Sequence, residues 1–201
     1  AKAVADRLAT GKAGLIPARG QLEQDAKVTL FCEMAVKVHA STARVKSGDD
    51  VPEAVAQYLR DHNLPSSLRM GDDERLQAMD WNRTPTLERL SGPSDGRDMV
   101  GLSHAYGGVA ETATLMMTSG AANPTTINFL PDTHIVVIDG KDIDGDYEAV
   151  WSRLRKTYGK GTMPRTVNMI TGPSRSGDIE QKLLLGAHGP RSLHIIVVDP
   201  D

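Results

Sequence analysis

Two short stretches concentrate side chains able to do chemistry. Glu111-Thr112-Ala113-Thr114 sets one carboxylate among hydroxyls, just after Gly107-Gly108. A carboxylate flanked by apolar residues is seldom buried without a partner or a purpose. It can act as a general base, or as a nucleophile toward an acyl group. The plainer alternative is that Glu111 accepts hydrogen bonds from Thr112 and Thr114 or from backbone N–H groups. The second stretch is Thr171-Gly172-Pro173-Ser174-Arg175-Ser176-Gly177. Its glycines are free to take positive φ, and the proline fixes the turn between them. Hydroxyls and backbone N–H groups at such a turn suit an anion, and Arg175 adds a fork of charged donors. Ser176 reads as the N-cap of a following helix, which makes this an anion site at a helix N-terminus. Asp178, in the first turn, competes for the same positive end. Here the plainer alternative is a turn and a cap with Arg175 in solvent.

These stretches need elements to hold them. Val167, Met169 and Ile170 form an apolar run that feeds the turn. Ile179, Leu183, Leu184 and Leu185 then read as the stripe of a helix, stopped by Gly186 and Gly189-Pro190. Leu193 to Val198 is too continuously apolar for a half-exposed strand, and such runs occur in parallel strands covered on both faces. In open α/β sheets ligands bind beyond the carboxyl ends of the strands, which points the turn toward that edge. Upstream, Leu22 to Val38 is a helix with Val28, Phe31, Ala35 and Val38 on one face. Cys32 inside it reads as structural, with no basic cluster nearby in sequence. Thr42–Val45 is a short strand. Asp50-Val-Pro-Glu53 has capping-box spacing before a helix striped by Val51, Val55 and Leu59. Leu68 and Met70 indicate another strand, and residues 72–97 carry no clear period. Met99–Leu102, Leu115–Met117, Ile135–Ile138 and Ile195–Val198 are the four strongest strands, with Val167–Ile170 a fifth. Tyr147 to Tyr158 is a helix. Strands alternating with helices predict a three-layer α/β/α sandwich with a mainly parallel sheet.

Metal chemistry finds little support. His104, His134 and His188 show no helical ligand spacing, and a catalytic metal needs about three converging ligands. His188, with Gly189 and Pro190, reads as a structural turn. Asp142, Asp144 and Asp146 fall at alternate positions, yet Tyr147 replaces the glycine and Leu154 the glutamate of a calcium loop. Gly159-Lys-Gly161 follows a helix rather than a strand, unlike a dinucleotide fingerprint. No flavin, haem, nicotinamide or metal is expected.

Length and composition bound the rest. The chain has 201 residues, 39% hydrophobic and 24% charged, which reads as one globular domain. A net charge of −3 gives no reason to expect nucleic acid or an anionic membrane as partner. The single cysteine rules out an internal disulfide and fits a reducing cytoplasm. It also falls short of the roughly four thiolates that an iron–sulfur cluster takes. The start at Ala1, with Val4, Ala5 and Leu8, reads as mid-helix, so a trimmed N-terminus is expected.

Ile170-Thr-Gly-Pro-Ser-Arg-Ser-Gly-Asp-Ile-Glu180, Leu185-Gly-Ala-His-Gly-Pro190 and Leu193-His-Ile-Ile-Val-Val-Asp199 together resemble the C-terminal signature of the LUD domain. That is the lactate-utilization family that includes LutC and YkgG. Glu111-Thr-Ala-Thr114 resembles a second family signature, Ala-Glu-Thr-Gly-Thr, with Ala113 in place of the glycine. If that glycine takes positive φ, alanine is strained there. The resemblance runs from Ile16 onward and implies a lead-in over residues 1–20 followed by a LUD domain over 21–201. It also implies a NagB/RpiA/CoA-transferase-like fold. For function it implies an accessory subunit of L-lactate oxidation to pyruvate, with iron–sulfur subunits as partners and no cofactor of its own. Glu111 is the catalytic candidate, by analogy with a glutamate of the CoA-transferases. Thr112, Thr114, Thr171, Gly172, Ser174, Arg175 and Ser176 are the candidate anion ligands. The competing readings are a stand-alone enzyme of CoA-transferase or sugar-phosphate type acting on a small anion, and a regulatory ligand sensor.

Overall fold

The computed structural model of the chain describes residues 2–4, 14–159, 161–179, 182–186 and 188–200, with no side chains described for 176–179 and 182–185. Ala5 and Leu8 of the N-terminal pattern lie outside these residues. The main sheet has six strands, all parallel, and its core is apolar on both faces. In chain order they are β1 (Ser41–Val45), β2 (Ser67–Met70), β3 (Glu88–Ser91), β4 (Val100–His104), β7 (Thr133–Asp139) and β12 (Ser192–Val198). In space the order is β1-β12-β7-β4-β2-β3. A second sheet holds β5 (Gly107–Val109), β6 (Thr114–Thr118), β8 (Ile143–Asp144) and β9 (Val167–Ile170), in the order β8-β5-β6-β9. β10 (Arg175–Ile179) and β11 (Lys182–Leu185) form a separate hairpin.

Side chains alternate along each central strand, and the two faces have different covers. Ile135 and Val137 of β7 and Ile196 of β12 face Val51, Val55 and Leu59. Those three belong to helix α2 (Val51–Asp61), and Leu76 of the short α3 (Glu74–Gln77) joins the same cluster. Val136, Ile138, Leu193, Ile195 and Val197 face the other way. They pack on Val28, Phe31 and Ala35 of α1 (Gln24–Lys37) and on Leu115 and Met117 of β6. Met116 points outward from β6, onto Val150 and Leu154 of α4 (Tyr147–Tyr158). The protein is thus an α/β sandwich around a parallel sheet, with the small second sheet sharing one face with α1. Gly108 makes that close packing possible, since a Cβ there would lie 2.8 Å from Ile138 Cδ1 and 3.0 Å from Phe31 Cε2. Among the described residues no helix is long and apolar enough to cross a membrane.

Several local expectations meet a different outcome. The helix expected after Ser176 is instead the β10–β11 hairpin, with Arg175 opposite Leu185 and Ser176 opposite Leu184. Its neck is closed by two backbone bonds, Ser174 N–H to Pro190 O at 2.8 Å and Gly186 N–H to Ser174 O at 3.0 Å. These long-range bonds occupy groups that a helical turn would have used, and tertiary context outweighs propensity. Leu115–Met117 and Val167–Ile170 belong to the second sheet, where β6 and β9 run antiparallel. Asp50 does not cap α2 through its side chain; Oδ1 accepts instead from Arg83 at 3.0 Å. Asp146 does cap α4, accepting from Ala149 N–H at 3.0 Å. Asp142 and Asp144 share one cation, Arg153, at 2.7 and 2.9 Å, so two of the three acidic side chains are paired within the chain.

The N-terminal connector is fastened by a backbone-to-backbone approach. Gly20, closing the turn Ala18–Gly20, lies so close to Gly145 that neither position has room for a Cβ. Gln21 adds a side-chain bond to Asp146 Oδ2 at 2.8 Å. Gly145→Ala is therefore expected to lift this connector and destabilise the fold by roughly 1–3 kcal/mol. Urea unfolding and the rate of tryptic cleavage after Arg19 check it; an unchanged midpoint with unchanged cleavage would refute the fastening.

Candidate functional site

The Thr171–Arg175 turn lines a cavity of about 280 Å³. β9 pairs Ile170 with Leu115 and delivers the turn beside the second sheet. Gly172 has φ +73°, and a side chain there would run into the Val38 carbonyl at the end of α1. Only glycine meets both conditions. His188, Gly189 and Pro190 line the opposite wall, as the sequence placed them in a turn. Asn128, Phe129, His134 and Leu193 complete the floor. His134 and Leu193 lie at the starts of β7 and β12, so the cavity opens at the amino-terminal edge of the parallel sheet. That corrects the expectation of a site beyond the carboxyl ends. The helix-dipole contribution is also removed, because no helix follows the turn. The Ser176 side chain lies outside the described residues.

Thr171 connects this cavity to the other predicted stretch. Its hydroxyl is 2.6 Å from that of Thr114, which is 2.8 Å from Thr112 Oγ1 and 2.7 Å from the Tyr147 hydroxyl. Thr112 donates to Tyr147 at 3.2 Å. Four hydroxyls own four hydrogens, and these four contacts consume them all. With Thr112 donating to Tyr147, Tyr147 donates to Thr114 and Thr114 to Thr112. Thr171 then donates into the ring and keeps only acceptor capacity toward the cavity. Ser174 N–H is likewise committed to Pro190 O. Of the predicted anion ligands, Arg175 is the one that brings charge to the cavity wall.

Glu111 stands apart from that cavity, as do Thr112 and Thr114, whose hydroxyls reach it only through Thr171. Its side chain is 6% exposed and pairs with Arg19 at 3.2 Å, through Nε. The threonine hydroxyls bond to one another and to Tyr147, rather than to the carboxylate. The partner comes from the glycine-fastened connector, 92 residues away in sequence.

Sequence reasoning missed a buried polar relay on the cavity floor. Ser103 Oγ donates to Asn128 Oδ1 at 3.0 Å, and Ser103 Oγ is itself 3.0 Å from His134 Nε2. Gly101, paired with His134 across β4 and β7, makes room for it. A Cβ at 101 would lie 2.8 Å from Ile127 O and 2.9 Å from Pro131 Cγ. The helical turn Thr125–Asn128 packs into that space and carries Asn128 to Ser103. The available signal was a histidine set directly before the apolar run Ile135–Ile138.

Comparison with known proteins bears on the whole arrangement. The family model described as the LUD domain matches residues 28–198. The chain belongs to the LUD-domain family. It is 27% identical over 188 residues to a lactate utilization protein C of Halalkalibacterium halodurans, covering 87% of this chain and 80% of that one. A protein of the same name from Shouchella clausii is 28% identical over 187 residues, covering 88% of this chain and 80% of the relative. A crystal structure of a DUF162 family protein from Deinococcus radiodurans superposes with a TM-score of 0.64. At 18% identity, covering 88% of this chain and 99% of that one, it shares the fold. In this LUD domain Ala113 has φ +51°, so alanine adopts the left-handed conformation that glycine takes more easily. It is fully buried between Glu111 and Thr114, and the surrounding packing holds it there.

Burial also sets the charge state of the histidines. It pushes His134 down to about 3 and His194 down to about 4, with His62 adding to the second shift. In the unfolded chain both titrate near 6.5. Between those values and about 6.5 the unfolded state binds more protons, so stability is full above that range and falls as the pH drops through it. Denaturant midpoints are expected to stay level above about pH 7 and to decline from about pH 6.5 toward 4.5. His134→Gln should flatten that decline by up to about 1.4 kcal/mol per pH unit. Identical slopes for the two proteins would mean that His134 is not held neutral by folding.

Proposed function

We propose that this LUD domain serves L-lactate utilization as a non-redox subunit beside iron–sulfur partner proteins, and holds a small carboxylate in the Thr171–Pro190 cavity. The observation that carries the reading is the pairing of a family match over most of the chain with relatives named for lactate utilization. The cavity supports the ligand half of the proposal. Its volume of about 280 Å³ is near the lower end for ligand pockets, ~300–1,000 Å³. Apolar walls from Phe129 and Leu193 and a cation from Arg175 suit a short organic acid. Charge-assisted bonds from a guanidinium are each worth about 1.5–3 kcal/mol.

The partner half rests on electron balance. Oxidising lactate to pyruvate releases two electrons, and this sequence has one cysteine against the roughly four thiolates of a cluster. A carrier on another chain meets that need. Glu111 fits this picture as the counterion of Arg19. A role as base or nucleophile requires Arg19 to move away first.

The test is genetic. A bacterium lacking its lactate utilization protein C, supplied with this chain, should regain growth on L-lactate and yield iron–sulfur proteins on affinity purification. Arg175→Ala should slow that growth several-fold while the melting temperature stays the same. Full rescue by Arg175→Ala would remove the cavity from the proposal. Turnover of an acyl-CoA or sugar phosphate by the purified chain alone would instead favour a stand-alone enzyme with Glu111 at its centre.

A further inference from the structure

We infer that His134 sets the ligand preference of the cavity: its Nδ1 accepts the hydroxyl hydrogen of a small 2-hydroxy acid, so the site prefers the alcohol to the corresponding 2-oxo acid. The inference rests on the cavity reading above and adds the part of the ligand that Arg175 does not address.

A serine hydroxyl has one hydrogen and two lone pairs. Ser103 spends its hydrogen on Asn128 Oδ1, so the contact with His134 Nε2 must run the other way, with the imidazole donating. Nε2 therefore carries the proton and Nδ1 is a bare acceptor. His134 is 1% exposed, and no hydrogen bond to Nδ1 forms among the described residues. Along β7 its side chain lies on the same face as Val136 and Ile138, the face covered by the second sheet. It lines the same cavity as Arg175. Nδ1 is not sealed off, since the one fully enclosed side-chain atom without a partner among the described residues is Asn168 Nδ2; a ligand in the cavity that His134 lines can therefore supply the hydrogen that the protein does not.

A 2-hydroxy acid brings the complementary groups on adjacent carbons: a carboxylate for Arg175 and an O–H for Nδ1. A 2-oxo acid turns a carbonyl oxygen toward Nδ1, so lone pair faces lone pair. Protonating the ring would resolve that clash, but burial holds His134 neutral far below pH 7. Sites built to hydrogen-bond a ligand group reject analogues that lack it, and reject mismatched ones at least as strongly.

Titration calorimetry on the full chain with L-lactate, pyruvate and propionate at pH 7 tests this. The wild type should bind L-lactate about tenfold or more tightly than pyruvate. His134→Gln, whose amide can donate as well as accept, should bring the two within about threefold of each other. Ser103→Ala should shrink the preference too, because it frees the ring to change tautomer without touching the ligand. Long-range ¹⁵N spectra of the imidazole should show the Nε2–H form in the wild type and a mixture in Ser103→Ala. A wild type that binds lactate and pyruvate equally, or a preference that survives both substitutions, overturns the inference. If all three acids bind the wild type alike and all weaken in Arg175→Ala, the cavity reading stands and His134 drops out. If none binds, both fall for this ligand class, while growth on L-lactate still judges the pathway assignment.

Discussion

A parallel strand buried on both faces must be covered twice, and everything else in this fold follows from that requirement. Val136, Val137, Ile195 and Ile196 of β7 and β12 are fully buried. Each large apolar side chain removed from water stabilises the fold by about 1.5–3 kcal/mol. One face obtains its cover from α2 and α3. The other needs both α1 and the second sheet, because one helix is too narrow for the central strands. The cavity lies at the strand starts, where Phe129, the Thr171 turn and the His188–Pro190 segment take over from that cover.

Most polar groups in this interior have partners; among the described residues Asn168 Nδ2 is the one fully buried side-chain atom without any. The ring of Thr112, Tyr147 and Thr114, with Thr171 donating into it, has as many hydrogens as contacts. In a low-dielectric interior such a network is rigid, and any gap in it is expensive. His134 stands at the border of that interior: Nε2 is bonded to Ser103, while Nδ1 has no hydrogen bond from the described residues and the ring lines the cavity. Glu111 solves the same problem with charge, taking Arg19 from a distant connector.

How much of this was legible in the sequence depends on how local the cause is. The apolar runs of β4, β7 and β12 needed no partner to be read, nor did the stripe of Val28, Phe31 and Ala35. Asp146 caps α4 across three residues, well within reach of pattern. The stretch after Ser174 was misread because Leu183, Leu184 and Leu185 satisfy a helical stripe as readily as a strand. What decided between them was the bond from Ser174 to Pro190. The second sheet was hidden because β6 and β9 pair across about fifty residues. The Asn128–Ser103–His134 relay joins positions 25 and 31 residues apart, and the Glu111–Arg19 pair spans 92. No periodicity carries such information. The Thr171–Arg175 turn does line a cavity, yet two of its donors, the Thr171 hydroxyl and the Ser174 N–H, are spent within the chain.

Gly101 ties the backbone of one strand to the chemistry of its neighbour. The space that its missing side chain leaves is what lets the Thr125–Asn128 turn approach, and that turn brings the acceptor that claims the Ser103 hydrogen. Were the turn a few ångströms further out, Ser103 would be free to donate to the imidazole, and the ring proton would sit on the cavity side. The cavity would then offer a donor where it now offers an acceptor. The polarity of the pocket is thus written in a hydrogen atom at position 101, a residue that never touches the ligand and whose exchange for alanine would look conservative in any alignment.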